Sequence, residues 1–187
     1  FISKGSDIVC VLTGNGLKDP DSAIKYSQTD IIKTSSKIDE ISKEFNGRKV
    51  LDSVSFCVTQ NQIFGFIGLN GMGKTTLIKI ILDLLDQDEG DVEIFQVTKI
   101  FPKARKNIFY LPEKFQPSSN LKGKEFLQFC LDFYGLRLDL DSARAICNNL
   151  DLRYEMLDEK VTKYSKGMMQ KLGLMAVFLS QANLVIL

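Results

Sequence analysis

The chain has 187 residues, 44% of them hydrophobic and 25% charged, which suits one domain with a short appendage and excludes collagen-like, coiled-coil and wholly disordered chains. Lys and Arg number 24 against 23 Asp and Glu, so a net charge of +1 offers no broad field for nucleic acid or an acidic membrane, and any polyanion site is local. The histidine count is zero, which removes Ser-His-Asp catalysis and His-containing zinc centres from this chain.

Cys10, Cys57, Cys130 and Cys147 are far apart with no Cys-x-x-Cys pair, which fits reduced thiols better than a metal cluster or a disulfide framework. No apolar run reaches the roughly 18 residues of a membrane span, and the N-terminus lacks the build of a signal peptide, so a soluble chain is expected. The chain starts at Phe1, its first methionine is Met72, and it stops in the apolar run Leu184-Val185-Ile186-Leu187, which leads us to expect a fragment truncated at both ends. Such a fragment, expressed alone, is expected to be poorly stable and prone to aggregate along the exposed edge of its last strand.

In chain order, residues 8–12 read as a short buried strand, followed by turn chemistry at Thr13-Gly14-Asn15-Gly16 and Lys18-Asp19-Pro20-Asp21. Residues 26–37 are rich in Ser, Thr, Lys and Gln and read as a linker separating a tail (1–25) from a domain (38–187). Alternation predicts strands over 38–45 and 50–58, and residues 62–67 predict a short strand running into glycines. Residues 75–85 predict a helix that is apolar nearly all round. Strands are predicted at 91–95 and 107–111, helices near 122–134, 140–150 and 165–181, and a last buried strand at 184–187. That order predicts an α/β fold with a partly parallel sheet and a helical subdomain over about 115–167.

Gly68-Leu69-Asn70-Gly71-Met72-Gly73-Lys74-Thr75 satisfies Gly-x4-Gly-Lys-[Ser/Thr] between a predicted strand and a predicted helix. Glycines let the backbone curl so that successive N–H groups face phosphate oxygens, and the helix N-terminus adds unpaired donors and its dipole. Lys74 then reaches the β- and γ-phosphates as a point charge, with the Thr75 hydroxyl on a Mg²⁺ ion that bridges them. A P-loop core that binds nucleotide phosphate follows from this motif, with Asn70, Gly71, Gly73, Lys74, Thr75 and Thr76 as its phosphate-site residues.

From residue 38 to its end the chain resembles the ATPase subunit of ATP-binding cassette (ABC) transporters. The resemblance implies that Phe45, in Glu44-Phe45-Asn46-Gly47, stacks on adenine. It implies that Tyr110-Leu111-Pro112-Glu113 corresponds to the family's Q-loop, with Glu113 in place of Gln as a metal-site residue beside Thr75. Tyr164-Ser165-Lys166-Gly167-Met168 resembles the signature Leu-Ser-Gly-Gly-Gln, so Ser165, Lys166 and Gly167 are expected to meet the ATP held by a second subunit, and Ser165 also to cap the helix that follows. The run 184–187 resembles the apolar half of the Walker B strand. In the family a Mg²⁺-binding Asp and a catalytic Glu come next, so no catalytic residue is expected within these 187 residues. The chain shown is therefore expected to bind ATP weakly and hardly to hydrolyse it.

What the resemblance implies for the full-length protein is ATP hydrolysis with Mg²⁺, in a head-to-tail pair of ABC ATPase subunits driving an integral membrane permease. Such a protein is cytoplasmic and peripheral on the inner face of the membrane, with no nucleic-acid partner expected. The Leu-Pro-Glu and Tyr-Ser-Lys-Gly-Met variants look most like ABC-2 exporters.

Residues 8–21 resemble the C-terminal tail of threonine synthase, which implies that Thr13 corresponds to the residue bonding the pyridine nitrogen of pyridoxal phosphate, although that family's Schiff-base lysine lies elsewhere. Two further readings follow: a soluble tandem ABC ATPase without a permease, and a remnant fusion of threonine synthase with an inactive cassette.

Overall fold

A computed structural model describes residues 36–118 and 120–187 in full, together with the backbone of residues 7–12. They fall into two compact units, Asp7–Lys106 and Asn107–Leu187.

In the first unit, β1 (Asp7–Leu12) runs parallel to β4 (Ile63–Ile67), in register from Ile8 opposite Ile63 to Leu12 opposite Ile67. The rest of residues 1–25, expected to resemble the tail of threonine synthase, lies outside the described residues, as do Thr13, the turns after it and most of the expected linker. Ser36 and Lys37, expected to end that linker, instead begin β2 (Ser36–Phe45), because Val58 and Cys57 offer them ladder partners. A two-residue turn with positive φ at Asn46 and Gly47 leads into β3 (Arg48–Val58), antiparallel to β2. An Asn-Gly pair between alternating segments is a strong hairpin signal, since only such residues accept left-handed φ at both central positions.

On the other side of β2 lies β5 (Glu89–Ile94), followed by the short β6 (Val97–Thr98), giving the strand order β3-β2-β5-β6. The alternating pattern buries Ile38, Ile41, Leu51, Val58, Val92 and Ile94. Register shifts interrupt β2 around Glu40 and Ser42, and side chains satisfy the backbone there: Glu40 N donates to Ser55 Oγ at 2.8 Å and Ser53 N to Ser42 Oγ at 3.0 Å. On β3 the ring of Phe56 stacks on Phe64 of β4, with centroids 4.9 Å apart. Neither β6 nor the single turn α2 (Pro102–Arg105) has a signal in the periodicity, because each is shorter than one period of a readable pattern.

The helix predicted over 75–85 is shorter and more one-sided than expected. Helix α1 (Lys74–Ile81) buries Leu77, Ile78, Ile80 and Ile81, while Leu84 lies beyond its end and is 69% exposed. Asp83, at φ 58, breaks the helix, with Leu84 N donating to Lys79 O at 2.8 Å. Asp83 can serve as the stop because its carboxylate is held by Arg105 at 2.9 Å and by Lys99 at 3.4 Å. Lys99 is only 2% exposed, a charge that must be compensated where it stands.

In the second unit, β7 (Ile108–Tyr110) pairs in parallel with β8 (Leu184–Ile186), whose three residues are all buried. Between them come α3 (Gly123–Asp132), α4 (Leu140–Asn149), 3-10 turns at Tyr154–Asp158 and Val161–Lys163, and α5 (Lys166–Ser180). Leu127, Ala143, Cys147, Leu157, Leu172 and Met175 form their shared core. Burial pushes the Cys130 thiol up to about 11 and raises that of Cys147, so neither is poised as a nucleophile at neutral pH. Among the described residues no helix is long and apolar enough to cross a membrane. The parallel β7–β8 and β1–β4 pairs, the antiparallel sheet and the helices make the α/β fold that the order of elements predicts.

The Arg105 hydrogen bond is the largest influence on the Asp83 carboxyl; burial opposes it, but with the added attraction of Arg105 and Lys99 the carboxyl is held below the usual carboxylate range. A carboxyl with a folded pKa below its unfolded value of about 3.9 stabilises the fold above that value and loses its contribution as pH falls through the folded pKa. Asp83→Asn is expected to cost about 1–3 kcal/mol in urea unfolding at pH 7, with the gap to wild type constant down to about pH 5 and closing below about pH 4.

Candidate functional site

Residues 68–73 link the end of β4 to the start of α1. Two of the glycines, Gly71 at φ 83 and Gly73 at φ 86, take the left-handed conformation that curls the loop. Gly73 is also the helix N-cap, with no side chain capping the first turn and no acidic residue in it. Helix N–H groups and the positive dipole end thus remain available for an anion, as the motif predicts. A Cβ at Gly73 would lie 2.8 Å from both Val50 O and Leu51 Cδ2, so β3 passes directly beneath the loop and leaves room for glycine alone.

Lys74 is 6% exposed and its side chain folds back into the loop, where Nζ donates to Leu69 O at 2.7 Å and to Gly68 O. Two carbonyl oxygens hold the ammonium at the mouth of the loop. Around it Leu69, Asn70, Gly71, Met72 and Thr75 are exposed, and Thr76 is half-buried. Phe45 ends the strand paired with β3, opposite Arg48, which is itself two residues before Val50, the residue that Gly73 packs against. Its ring is 42% exposed, with Lys43 Nζ 5.5 Å from its centroid and that lysine in turn paired with Asp88 at 2.6 Å. One unit therefore carries Phe45, Asn70, Gly71, Gly73, Lys74, Thr75 and Thr76 on the loop and the hairpin that supports it.

The other unit carries the remaining candidates. Glu113 is exposed in the stretch after β7, whose exit is fixed by Leu111 N donating to Ile186 O at 2.9 Å. Ser165 is the N-cap of α5, its Oγ accepting from Met168 N at 3.2 Å, as a serine at a helix start predicts. Lys166 and Gly167 are exposed, and a Cβ at Gly167 would meet nothing within 4 Å, so local packing does not demand glycine there. The Thr75 hydroxyl and the Glu113 carboxylate are exposed oxygen donors of the kind that Mg²⁺ takes, together with waters and phosphate oxygens. Reading the sequence left Tyr164 without a role, although it is buried beside the Ser165 cap and bonded through its hydroxyl.

A family model described as ABC transporter matches residues 51–187. The uncharacterized ABC transporter ATP-binding protein YhcH of Bacillus subtilis (strain 168) is 32% identical over 160 residues, spanning 83% of this chain and 51% of that protein. The zinc import ATP-binding protein ZnuC of Rickettsia bellii (strain RML369-C) is 33% identical over 149 residues, spanning 79% of this chain and 58% of that protein. A solved ATP-binding subunit of an ABC transporter superposes with a TM-score of 0.69 at 26% identity, covering 82% of this chain and 65% of that one. The chain spans about half the length of the curated relatives it matches.

Gly73→Ala is expected to lower stability by about 2–4 kcal/mol, from left-handed strain plus the contact with β3, whereas Ser165→Ala loses only a cap worth about 1 kcal/mol. Urea midpoints of the two variants measure the difference.

Proposed function

The chain belongs to the ABC transporter family, and on that premise we propose that it is the nucleotide-binding part of a subunit that hydrolyses Mg·ATP to drive a partner permease. The observation that carries this reading is the uncapped helix start at Gly73 with the Lys74 ammonium waiting on the Gly68 and Leu69 carbonyls. An incoming triphosphate offers Lys74 anionic oxygens in place of neutral carbonyls, and charge-assisted bonds are the stronger ones. Loop N–H groups hold the phosphates without movement of the backbone, while Phe45 offers an exposed ring face to adenine.

Mg²⁺ would supply charge neutralisation at the phosphates; in the first unit the Thr75 hydroxyl is suited to hold it, and in the second the Glu113 carboxylate has the matching oxygen chemistry. The exposed first turn of α5, with Ser165, Lys166 and Gly167, suits contact with the γ-phosphate of a nucleotide bound by a second subunit, in a head-to-tail pair. The permease partner places the subunit on the inner face of the membrane. The Leu111-Pro112-Glu113 and Tyr164–Met168 variants favour the ABC-2 export type. Residues 1–25 read as a threonine synthase-like tail that does not take part in this chemistry.

In the full-length protein, Lys74→Ala is expected to lower Mg·ATP affinity at least 100-fold and to abolish phosphate release, measured with a fluorescent ATP analogue and a coupled assay. Wild-type turnover in this variant would remove the assignment of the loop.

A further inference from the structure

Where the family signature begins with leucine, this chain has Tyr164, and the substitution adds a hydroxyl to a buried position. The side chain is 6% exposed in the core formed with Phe126, Leu157, Val161 and Leu172. Its hydroxyl donates to Met156 O at 2.6 Å, and burial pushes the phenol up to about 12, so it remains a proton donor across the physiological range. Beneath the hydroxyl lies Gly123, the first residue of α3. A Cβ there would run into the Tyr164 hydroxyl and come within 2.9 Å of Leu157 Cα. Glycine at 123 and tyrosine at 164 are therefore complementary: the missing side chain makes the space that the hydroxyl occupies.

The same place is stitched by backbone. Gly123 N donates to Glu159 O at 3.2 Å, Val161 N to Leu121 O at 2.9 Å, and Lys122 and Lys160 form an antiparallel bridge. Residues 121–123, entering α3, and 156–164, entering α5, are thus one locked crossing. Tyr164 is its last member before Ser165, beyond which Lys166 and Gly167 are exposed. The Ser165 side chain caps one N–H at 3.2 Å, and its carbonyl accepts from Met169 N at 2.9 Å, both bonds lying within the turn itself, whereas the Tyr164 hydroxyl ties the turn to Met156. A leucine there would be apolar and could make no bond to Met156 O.

We propose that Tyr164 is a positioning residue: its bond to Met156 O across Gly123 fixes the first turn of α5, so that Ser165, Lys166 and Gly167 meet the γ-phosphate held by a second subunit. This rests on the function proposed above, and it assigns Tyr164 a part in turnover rather than in the binding of ATP by the subunit's own loop. Hydrolysis depends on the orientation of that turn in trans, whereas the Gly68–Thr75 loop binds its own nucleotide without it.

Tyr164→Phe removes the bond and keeps the ring. In the full-length protein it is expected to lower kcat about fivefold with KM and equilibrium ATP affinity within about twofold of wild type. Amide exchange at Met168, whose N–H is held by Ser165, should quicken about fivefold while that of the α4 core residues Ala143 and Cys147 is unchanged. Gly123→Ala should show the same split with a larger loss, and Gly123→Ala/Tyr164→Phe should be no worse than Gly123→Ala alone, since the methyl group then meets no hydroxyl. Wild-type kcat and wild-type Met168 exchange in Tyr164→Phe would overturn the proposal. So would parallel losses of affinity and kcat that follow the fraction of folded protein, which assign the tyrosine to packing alone. A wild-type protein that binds no ATP would instead overturn the function on which the proposal rests.

Discussion

The hold of the loop carbonyls on the Lys74 ammonium is the interaction on which the first unit turns. A nearly buried ammonium is unfavourable unless its protons are bonded, and Gly68 O and Leu69 O meet that need from within the loop. The loop can bend to do so only because Gly71 and Gly73 accept left-handed φ, and it cannot drift because Val50 and Leu51 press against Gly73. The hydrophobic faces of β2, β3 and β5 hold β3 in that place. Burial in the sheet thus becomes geometry at the loop, and the geometry leaves a cation and uncapped helix N–H groups at one solvent-facing mouth.

Carbonyl oxygens are modest partners for an ammonium. They keep it ordered, and phosphate oxygens, which carry full charge, would be the stronger partners. The site is therefore preorganised without being self-satisfied. In the second unit the first turn of α5 has a comparable design on a different element: Ser165 takes up one donor, Lys166 and Gly167 are left to solvent, and Tyr164 anchors the turn from below.

The loop was legible because its determinants are local. Glycine spacing reports backbone conformation, and the Lys-Thr pair that follows names the chemistry, with no need of tertiary information. Ser165 as an N-cap was legible for the same reason. The end of α1 was not, since the apolar pattern continues through Leu82, Leu84 and Leu85 and the residue that breaks it is an aspartate. What makes Asp83 a stop is its bonding to Arg105 and to the buried Lys99, distant in sequence and ordinarily read as surface charges. Ser36 and Lys37 read as linker by composition but are strand by pairing. The fit of Tyr164 over Gly123 has no signal in the sequence because the two residues are far apart in the chain, and only their contact in the fold gives either one meaning.

The most direct test of the central claim is equilibrium titration of the full-length protein with ATP, ADP and AMP in the presence of Mg²⁺. If loop amides and Lys74 supply the binding energy through the phosphates, ATP and ADP should bind at least 100-fold more tightly than AMP. Equal affinity for all three would place recognition on the base and sugar and contradict the account.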